Sequence, residues 1–283
     1  MAIPDSGTST IDRAFIEAFR SNVIHLCQQK PSRLRSTVDT MTVKAEIANV
    51  ERIGSQEAIE KTTRHTPTPI LDVPHSRRRF PMQDFQWADL IDSEDEIRML
   101  ISPKSEYARS GAWAMNRQYD RLIIDALTAD ATDGDGASVS FPISQDIVAG
   151  GTGMTLDKVI AAKELLDANE VDPDNRFMVV NSKGMSDMLG TTEVTSSDFN
   201  SVKALVQGSF DTWLGFKWIQ TELLPAGECY AYHKSGMRLG IGRDVSTRID
   251  KRPDVSYATQ VYLAFTAGAT RVEEEKVVRI YTV

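Results

Sequence analysis

Ser102-Pro103-Lys104-Ser105-Glu106-Tyr107-Ala108-Arg109-Ser110-Gly111-Ala112-Trp113-Ala114-Met115-Asn116-Arg117-Gln118-Tyr119-Asp120-Arg121-Leu122-Ile123 is the stretch on which the fold turns. A serine followed by proline is an N-cap with proline at the first helical position, so a helix is predicted from 103 onward to about 130. Ala108, Gly111, Ala112, Met115, Tyr119, Leu122, Ile123 and Ala126 fall on one stripe. Arg109, Arg117, Asp120, Arg121 and Asp125 fall on the other. At 1.5 Å per residue the helix spans ~40 Å, longer than a typical globular helix. Gly111, Ala112 and Ala114 let a sheet or a second backbone approach closely.

Upstream, Ser9 to Lys30 carries Ile11, Phe15, Ala18, Phe19, Val23 and Leu26 at helical spacing, with Asp12 completing a cap and Pro31 ending the run. Residues 37–54 and 59–92 then change period. Their β-branched residues nearly alternate, as at Val43, Ala45 and Ile47, and Gly54, Pro67, Pro69, Pro74 and Pro81 punctuate them. Such a polar, strand-rich excursion has too few apolar residues to own a core and must lean on something else.

Downstream, 132–153 is a Gly- and Asp-rich loop, and 155–169 returns to helical period through Leu156, Val159, Ile160, Leu165 and Leu166. Arg176-Phe-Met-Val-Val-Asn181 is a short continuous apolar run, the signature of a buried central strand. Ser182 is expected to cap a short helix ending near Gly190, with strands at 213–222, 228–233 and 237–242. The tail from Val255 to Val283 reads as a closing hairpin. The class is α+β, with one lobe from 145 to 245 and a second pairing the long helix with the C-terminal strands.

Composition excludes several functions. The 283 residues carry 32 Lys and Arg against 40 Asp and Glu, a formal charge of -8. Residues 125–200 hold 14 acids and 4 bases, so that segment alone is at -10. Nucleic-acid binding works through clustered Lys and Arg that release counterions, and this balance argues against it. Cys27 and Cys229 are isolated, which suits a reducing compartment better than a disulfide framework. The start Met1-Ala-Ile-Pro-Asp5 has neither a basic nor an apolar leader region, and no stretch is apolar enough to span a bilayer, so neither secretion nor membrane insertion is expected.

No catalytic or cofactor chemistry is expected, and neither is a metal. Gly150-Gly-Thr-Gly153 opens a helix, but Met154 stands where a phosphate loop needs lysine, so a flexible loop is favoured. Asp133-Gly-Asp135-Gly136 resembles the core of a calcium loop, yet Ala131 and Pro142 occupy its first and last ligand positions, which leaves a tight turn. His25, His65, His75 and His233 show no paired ligand spacing. The one charge cluster of interest is His75-Ser-Arg77-Arg78-Arg79-Phe80. It sits inside the excursion, thirteen residues before an acidic run that includes Asp92, Glu94 and Asp95. Arg77, Arg78, Arg79, Asp92, Glu94 and Asp95 are therefore candidates for contacts between copies of the chain.

The stretch from His75 through Asp84-Phe-Gln-Trp-Ala-Asp-Leu-Ile-Asp92, Asp95-Glu-Ile-Arg-Met-Leu-Ile101 and Ser102-Pro103 to Arg117 and Asp120 resembles the major capsid proteins of tailed bacteriophages. It matches their run from extended loop into spine helix. Gly268-Ala-Thr-Arg271-Val and Val277-Val-Arg-Ile280 resemble the same family's last strands. The resemblance implies the Hong Kong-type phage major-capsid fold, shared with encapsulins. That fold has an N-terminal arm (1–36), an extended β loop (37–92), a peripheral domain with the spine helix (93–144 and 246–283) and an axial α/β domain (145–245).

It also implies a structural, non-enzymatic protein of the virion. Such a protein self-assembles as a homo-oligomer of pentamers and hexamers, in the host cytoplasm, into an icosahedral head around double-stranded DNA that it does not read by sequence. Some relatives carry a long N-terminal scaffolding segment, for which residues 1–36 are too few, so assembly is expected to use a separate scaffolding protein or none, and separate scaffolding and portal proteins are the expected partners. An encapsulin-like compartment and a soluble α+β enzyme are the alternatives.

Overall fold

A computed structural model describes residues 28–65, 67–68, 70–92, 103–190 and 212–283. The helix expected over Ser9–Lys30 lies almost wholly outside them, as do Ser102, Glu94 and Asp95. The described chain falls into two compact units.

The larger unit comprises Arg33–Gln83, Tyr119–Gly242 and Ala267–Val283. Its main sheet has six strands in the order β7-β14-β11-β8-β10-β9. β8 (Arg176–Val180) is the continuous apolar run, and all five of its residues are buried. It pairs in parallel with β10 (Phe216–Gln220), Phe216 opposite Arg176, and antiparallel with β11 (Glu228–His233), Tyr230 opposite Val179. β11 pairs antiparallel with β14 (Val277–Tyr281). The outer strands, β7 (Asp146–Ile147) and β9 (Thr212–Trp213), have two residues each, which leaves little exposed edge. Val159, Ala162 and Leu166 from α2 (Leu156–Ala168) and Met185 and Met188 from α3 (Ser182–Leu189) bury themselves against Met178, Val180, Phe216, Ala231 and Val278.

Three expectations need correction here. The cap of α3 is Asn181, whose side chain accepts the Gly184 N–H at 2.7 Å, and not Ser182. The third expected strand runs on, as β12 (Met237–Arg252). The C-terminal tail is not a hairpin: β13 (Ala258–Arg271) joins a four-stranded sheet in the order β1 (Asp39–Thr42), β12, β13, β4 (Gln83–Ile91), while β14 crosses to the six-stranded one. β13 has the preceding strand β12 and the distant β4 as neighbours, whereas β14 pairs with β11 and β7, and a local apolar pattern does not choose between such partners.

The same unit contains a second, smaller sheet in the order β2-β3-β5-β6. β2 (Ile47–Ile53) and β3 (His75–Pro81) form an antiparallel hairpin in the register Ile47–Pro81 to Ile53–His75. β3 also pairs with β5 (Ala131–Asp133), and β5 with β6 (Ser138–Val139). The β5–β6 turn is tight, as the sequence predicts. Asp133 Oδ1 accepts the N–H groups of Asp135 at 3.0 Å and Ala137 at 2.8 Å, and Gly136 takes a φ of 94°. The hairpin base does find a core within its own chain. Val43, Ala48, Val50 and Phe80 pack with Val272, just beyond β13. Gly268 permits that packing, since a Cβ there would meet the Phe80 ring at 2.9 Å.

In the smaller unit, the described parts of Met1–Ser32, Asp84–Gln118 and Arg243–Thr266 bring together residues of β4 (Gln83–Ile91), β12, β13 and helix α1 (Pro103–Thr128). α1 is the long helix the sequence predicts, 26 residues with Met115, Tyr119 and Ile123 buried as expected. Ile124 and Leu127 are buried too, so the apolar face widens in its second half. At Gly111 the backbone is so close to the sheet that a Cβ would lie 2.7 Å from Leu263 Cδ1 and 2.7 Å from the Trp87 ring. The close approach read from the small residues is therefore made at Gly111. Phe85 stacks on Phe265 at 4.9 Å between ring centres.

Candidate assembly surface

Between β2 and β3, residues 54–74 form no strand among the described residues, and the chain there is exposed nearly throughout. Ile53 is 69% exposed, Ile59 58%, Ile70 98% and Leu71 45%. Isolated exposed apolar residues are ordinary, but four on one projecting hairpin are not. Ile59 and Leu71, with Pro67 and Lys61, line a cleft of about 540 Å³ within this tip.

Strand alternation divides the arginine cluster. Successive side chains on β3 point to opposite faces, so Arg78 shares the buried face with Phe80 while Arg77 lies on the other. Arg77 is exposed and pairs across the hairpin with Glu51, its Nε donating at 2.7 Å. An exposed pair of that kind is worth about 0–1 kcal/mol and is easily exchanged for another partner. Arg79 is half-buried, and its guanidinium makes no hydrogen bond or ion pair among the described residues. Arg78 is 2% exposed and donates from Nη2 to Glu274, so its charge is committed within the chain. Asp92 is exposed at the end of β4. Asp92 belongs to the smaller unit, and Arg77, Arg78 and Arg79 belong to the larger one.

Sequence reasoning missed a buried ionic cluster under the hairpin. Arg52, Arg78 and Arg271 all reach Glu274. Arg271, with no exposed surface, also donates to the carbonyls of Leu127 and Ala129 at 2.9 Å each, satisfying the last turn of α1, and lies 5.1 Å from the centre of the Phe141 ring. Beside it Arg279 holds Asp146 through two bonds, at 2.8 and 2.7 Å.

The glycine-rich loop before α2 is the inverse of a phosphate cradle. Its carbonyls converge, and Lys158 fills them: Nζ donates to Thr152 at 2.9 Å, Gly153 at 2.7 Å and Tyr281 at 3.0 Å. The Met154 N–H, which would face a phosphate, donates to Asp187 Oδ2 at 3.1 Å. The loop is thus tied at both ends, with Gly150 and Gly151 in left-handed turns. Among the described residues no group of three or more His, Cys, Asp or Glu is placed to hold a metal ion, and no helix is long and apolar enough to cross a membrane.

The class of protein follows from comparison with known proteins, which gives a capsid protein. The phage capsid protein family model matches residues 11–283, and the chain belongs to that family. In fold it is similar to a capsid structure of cyanophage P-SCSP1u, at TM-score 0.75 and 15% identity over 100% of this chain and 97% of that one. It is similar also to a structure from Mycobacterium phage Che8, at TM-score 0.70 and 16% identity over 93% and 98%. A third is the capsid of cyanophage Pam1, at TM-score 0.71 and 12% identity over 92% and 94%. No curated protein sequence matches the chain. The fold is the phage major-capsid fold, and the protein is a structural component of a capsid.

Proposed function

We propose that this chain is the repeating subunit of an icosahedral phage head, closing into pentamers and hexamers around double-stranded DNA. In this reading 1–36 is the arm, 37–92 the extended loop, 93–144 and 246–283 the peripheral domain, and 145–245 the axial domain. The observation that carries it is the hairpin β2–β3. Its base is anchored in the chain's own core at Phe80 and Val272, while its tip leaves Ile53, Ile59, Ile70 and Leu71 in water. A segment so built gains by lying on another copy, and head-to-tail contacts of that kind close into rings when the rotation closes. Arg77 and Arg79 on the hairpin would meet the acidic run of a neighbour at Asp92, Glu94 and Asp95. Such charges set register and partner choice more than affinity. Scaffolding and portal functions would come from other proteins, and assembly would take place in the host cytoplasm.

Negative-stain microscopy of the expressed chain, alone and with its scaffolding partner, tests the reading: closed shells or capsomer rings are expected. A well-folded 31.4 kDa monomer under both conditions would overturn it. Arg77→Glu with Arg79→Glu should leave the monomer's thermal unfolding unchanged yet impair shell closure, and normal closure would remove these two residues from the interface.

A further inference from the structure

We infer that Glu274 is the positioning residue of the extended hairpin, a single carboxylate that holds three arginines and so fixes the base of β2 and β3 against the segment that follows β13. Arg52 on β2 has Nη1 3.8 Å from Glu274 Oε2, and the same nitrogen donates to the Val272 carbonyl at 2.7 Å. Arg78 on β3 donates from Nη2 to Glu274 Oε1. Arg271 approaches that oxygen with Nε at 3.7 Å. The side chains of Arg78 and Arg271 are 3% and 0% exposed, that of Arg52 22% and that of Glu274 14%.

The cluster therefore sets three positive charges against one negative, two of the positives away from water. Burial acts to lower the pKa of both Arg78 and Arg271. Glu274 opposes that, Arg52 adds repulsion on Arg78, and Arg78 adds it on Arg271. Asp133, Asp130 and Glu275 contribute attraction from beyond ion-pair distance. The Nε atoms of Arg78 and Arg271 are buried with no hydrogen-bond partner, so little slack remains in the cluster. Removing one partner of a buried ion pair leaves an uncompensated charge and is strongly destabilising.

The asymmetry of the anchors decides what would move. Arg271 keeps three carbonyls without Glu274, those of Leu127, Ala129 and Val139. Arg78 has no other side-chain partner among the described residues. Its strand carries the projecting tip, so loss of Glu274 should release the hairpin and leave the six-stranded sheet in place. If the tip lies on a neighbouring copy, as the shell reading on which this inference partly rests requires, the hairpin's set at its base is transmitted to the contact between subunits.

Glu274→Gln and Glu274→Asp are compared with the unsubstituted chain by hydrogen exchange on unassembled protein and by particle microscopy. Asp146→Asn, which opens the less deeply buried Arg279 pair, is the control. E274Q should speed amide exchange across 47–53 and 75–81 by about tenfold or more with β8 and β11 unchanged, as expected of a locally opening unit. E274D should recover part of the protection, and D146N should not open the hairpin selectively. Particles of E274Q should be open or altered in diameter. Unchanged or uniformly raised exchange in E274Q would overturn the inference, even where the unsubstituted chain forms shells. Selective hairpin opening in a chain that never forms shells would support the positioning role while removing the shell reading. If E274Q does not fold, E274Q with Arg78→Met removes the orphaned buried charge. Fast exchange confined to the hairpin in that variant supports the inference, and native exchange there overturns it.

Discussion

Asp120, buried in the middle of the long helix, accepts the backbone N–H of Arg33 through Oδ2 at 2.9 Å, and its Oδ1 accepts that of Leu34 at 3.1 Å. Two residues 87 positions apart are thereby fixed through a main-chain contact. Leu34, itself with no exposed surface, enters the core at this point, and three residues on Thr37 Oγ1 meets the Tyr232 hydroxyl at 2.6 Å. The segment that leads into the hairpin therefore leaves the helix from a defined place.

Asp120→Ala should lower stability by about 3 kcal/mol, because a buried donor at Leu34 and a part-buried one at Arg33 lose a charged acceptor, and hydrogen bonds to charged groups contribute about 1.5–3 kcal/mol each. The urea midpoint should fall with the slope of the transition unchanged. A loss under about 0.5 kcal/mol would show that these N–H groups find water instead.

Gly111→Ala sets two effects against each other. Alanine in a helix interior is favoured over glycine by about 1 kcal/mol, whereas overpacking a tight contact costs about 1–3 kcal/mol. The new Cβ would stand 2.7 Å from both Leu263 Cδ1 and the Trp87 ring, and Leu263 is fully buried, so the contact cannot open freely. The sterics should win, giving a net destabilisation of about 1 kcal/mol in thermal unfolding. A stabilised variant would show that the sheet yields there.

The elements that proved legible carry their instructions locally. Pro103 and the repeat through Met115, Tyr119 and Ile123 announced the helix, and the unbroken run Phe177–Val180 announced a strand covered on both faces. What stayed hidden depends on residues far apart in sequence. Val277, Val278 and Ile280 read alike whether their strand closes a hairpin or joins the central sheet, and only the partner Cys229–Tyr232 decides. Arg78 was grouped with Arg77 and Arg79 by residue type, although alternation with Phe80 already assigned it to the inner face. Glu274 lies in the run Glu273–Glu275, which reads as a solvated charge patch until three arginines from distant segments arrive on it.

Cys229 predicts sensitivity to alkali. Burial first, with a smaller push from Asp187, moves its thiol from an ordinary 9.0 up to about 11. The folded state thus holds this proton more tightly than the unfolded one. The contribution is complete below pH 9.0 and is lost as pH rises toward about 11. Burial raises Tyr230 and Tyr232 in the same direction, so their contributions fade at still higher pH. With Cys27→Ser in place, an aromatic disulfide reagent at pH 8 should label Cys229 only on unfolding. The decline in melting temperature between pH 9 and 11 should be shallower in a Cys229→Ala variant. Rapid labelling of the native chain would contradict the burial argument.

Duplex DNA is the obvious content of a phage head, and this chain should bind it poorly. With a formal charge of -8 overall, and 14 acids against 4 bases over residues 125–200, any one copy can neutralise few phosphates. Several arginines are already committed within the chain as well: Arg78 and Arg271 to Glu274, Arg176 to Asp167, and Arg279 to Asp146. On the proposed shell reading, a wall that attracted DNA strongly would hinder both filling and release. Each phosphate neutralised adds about -0.9 to the slope of log affinity against log salt, so a subunit without a basic groove should show a shallow slope. At ~0.15 M salt, where exposed charges are screened beyond roughly 8 Å, the unassembled chain should not retain duplex DNA in a gel-shift assay. Retention at submicromolar protein with a steep salt dependence would contradict this and would place a basic surface on the subunit that its described charges do not supply.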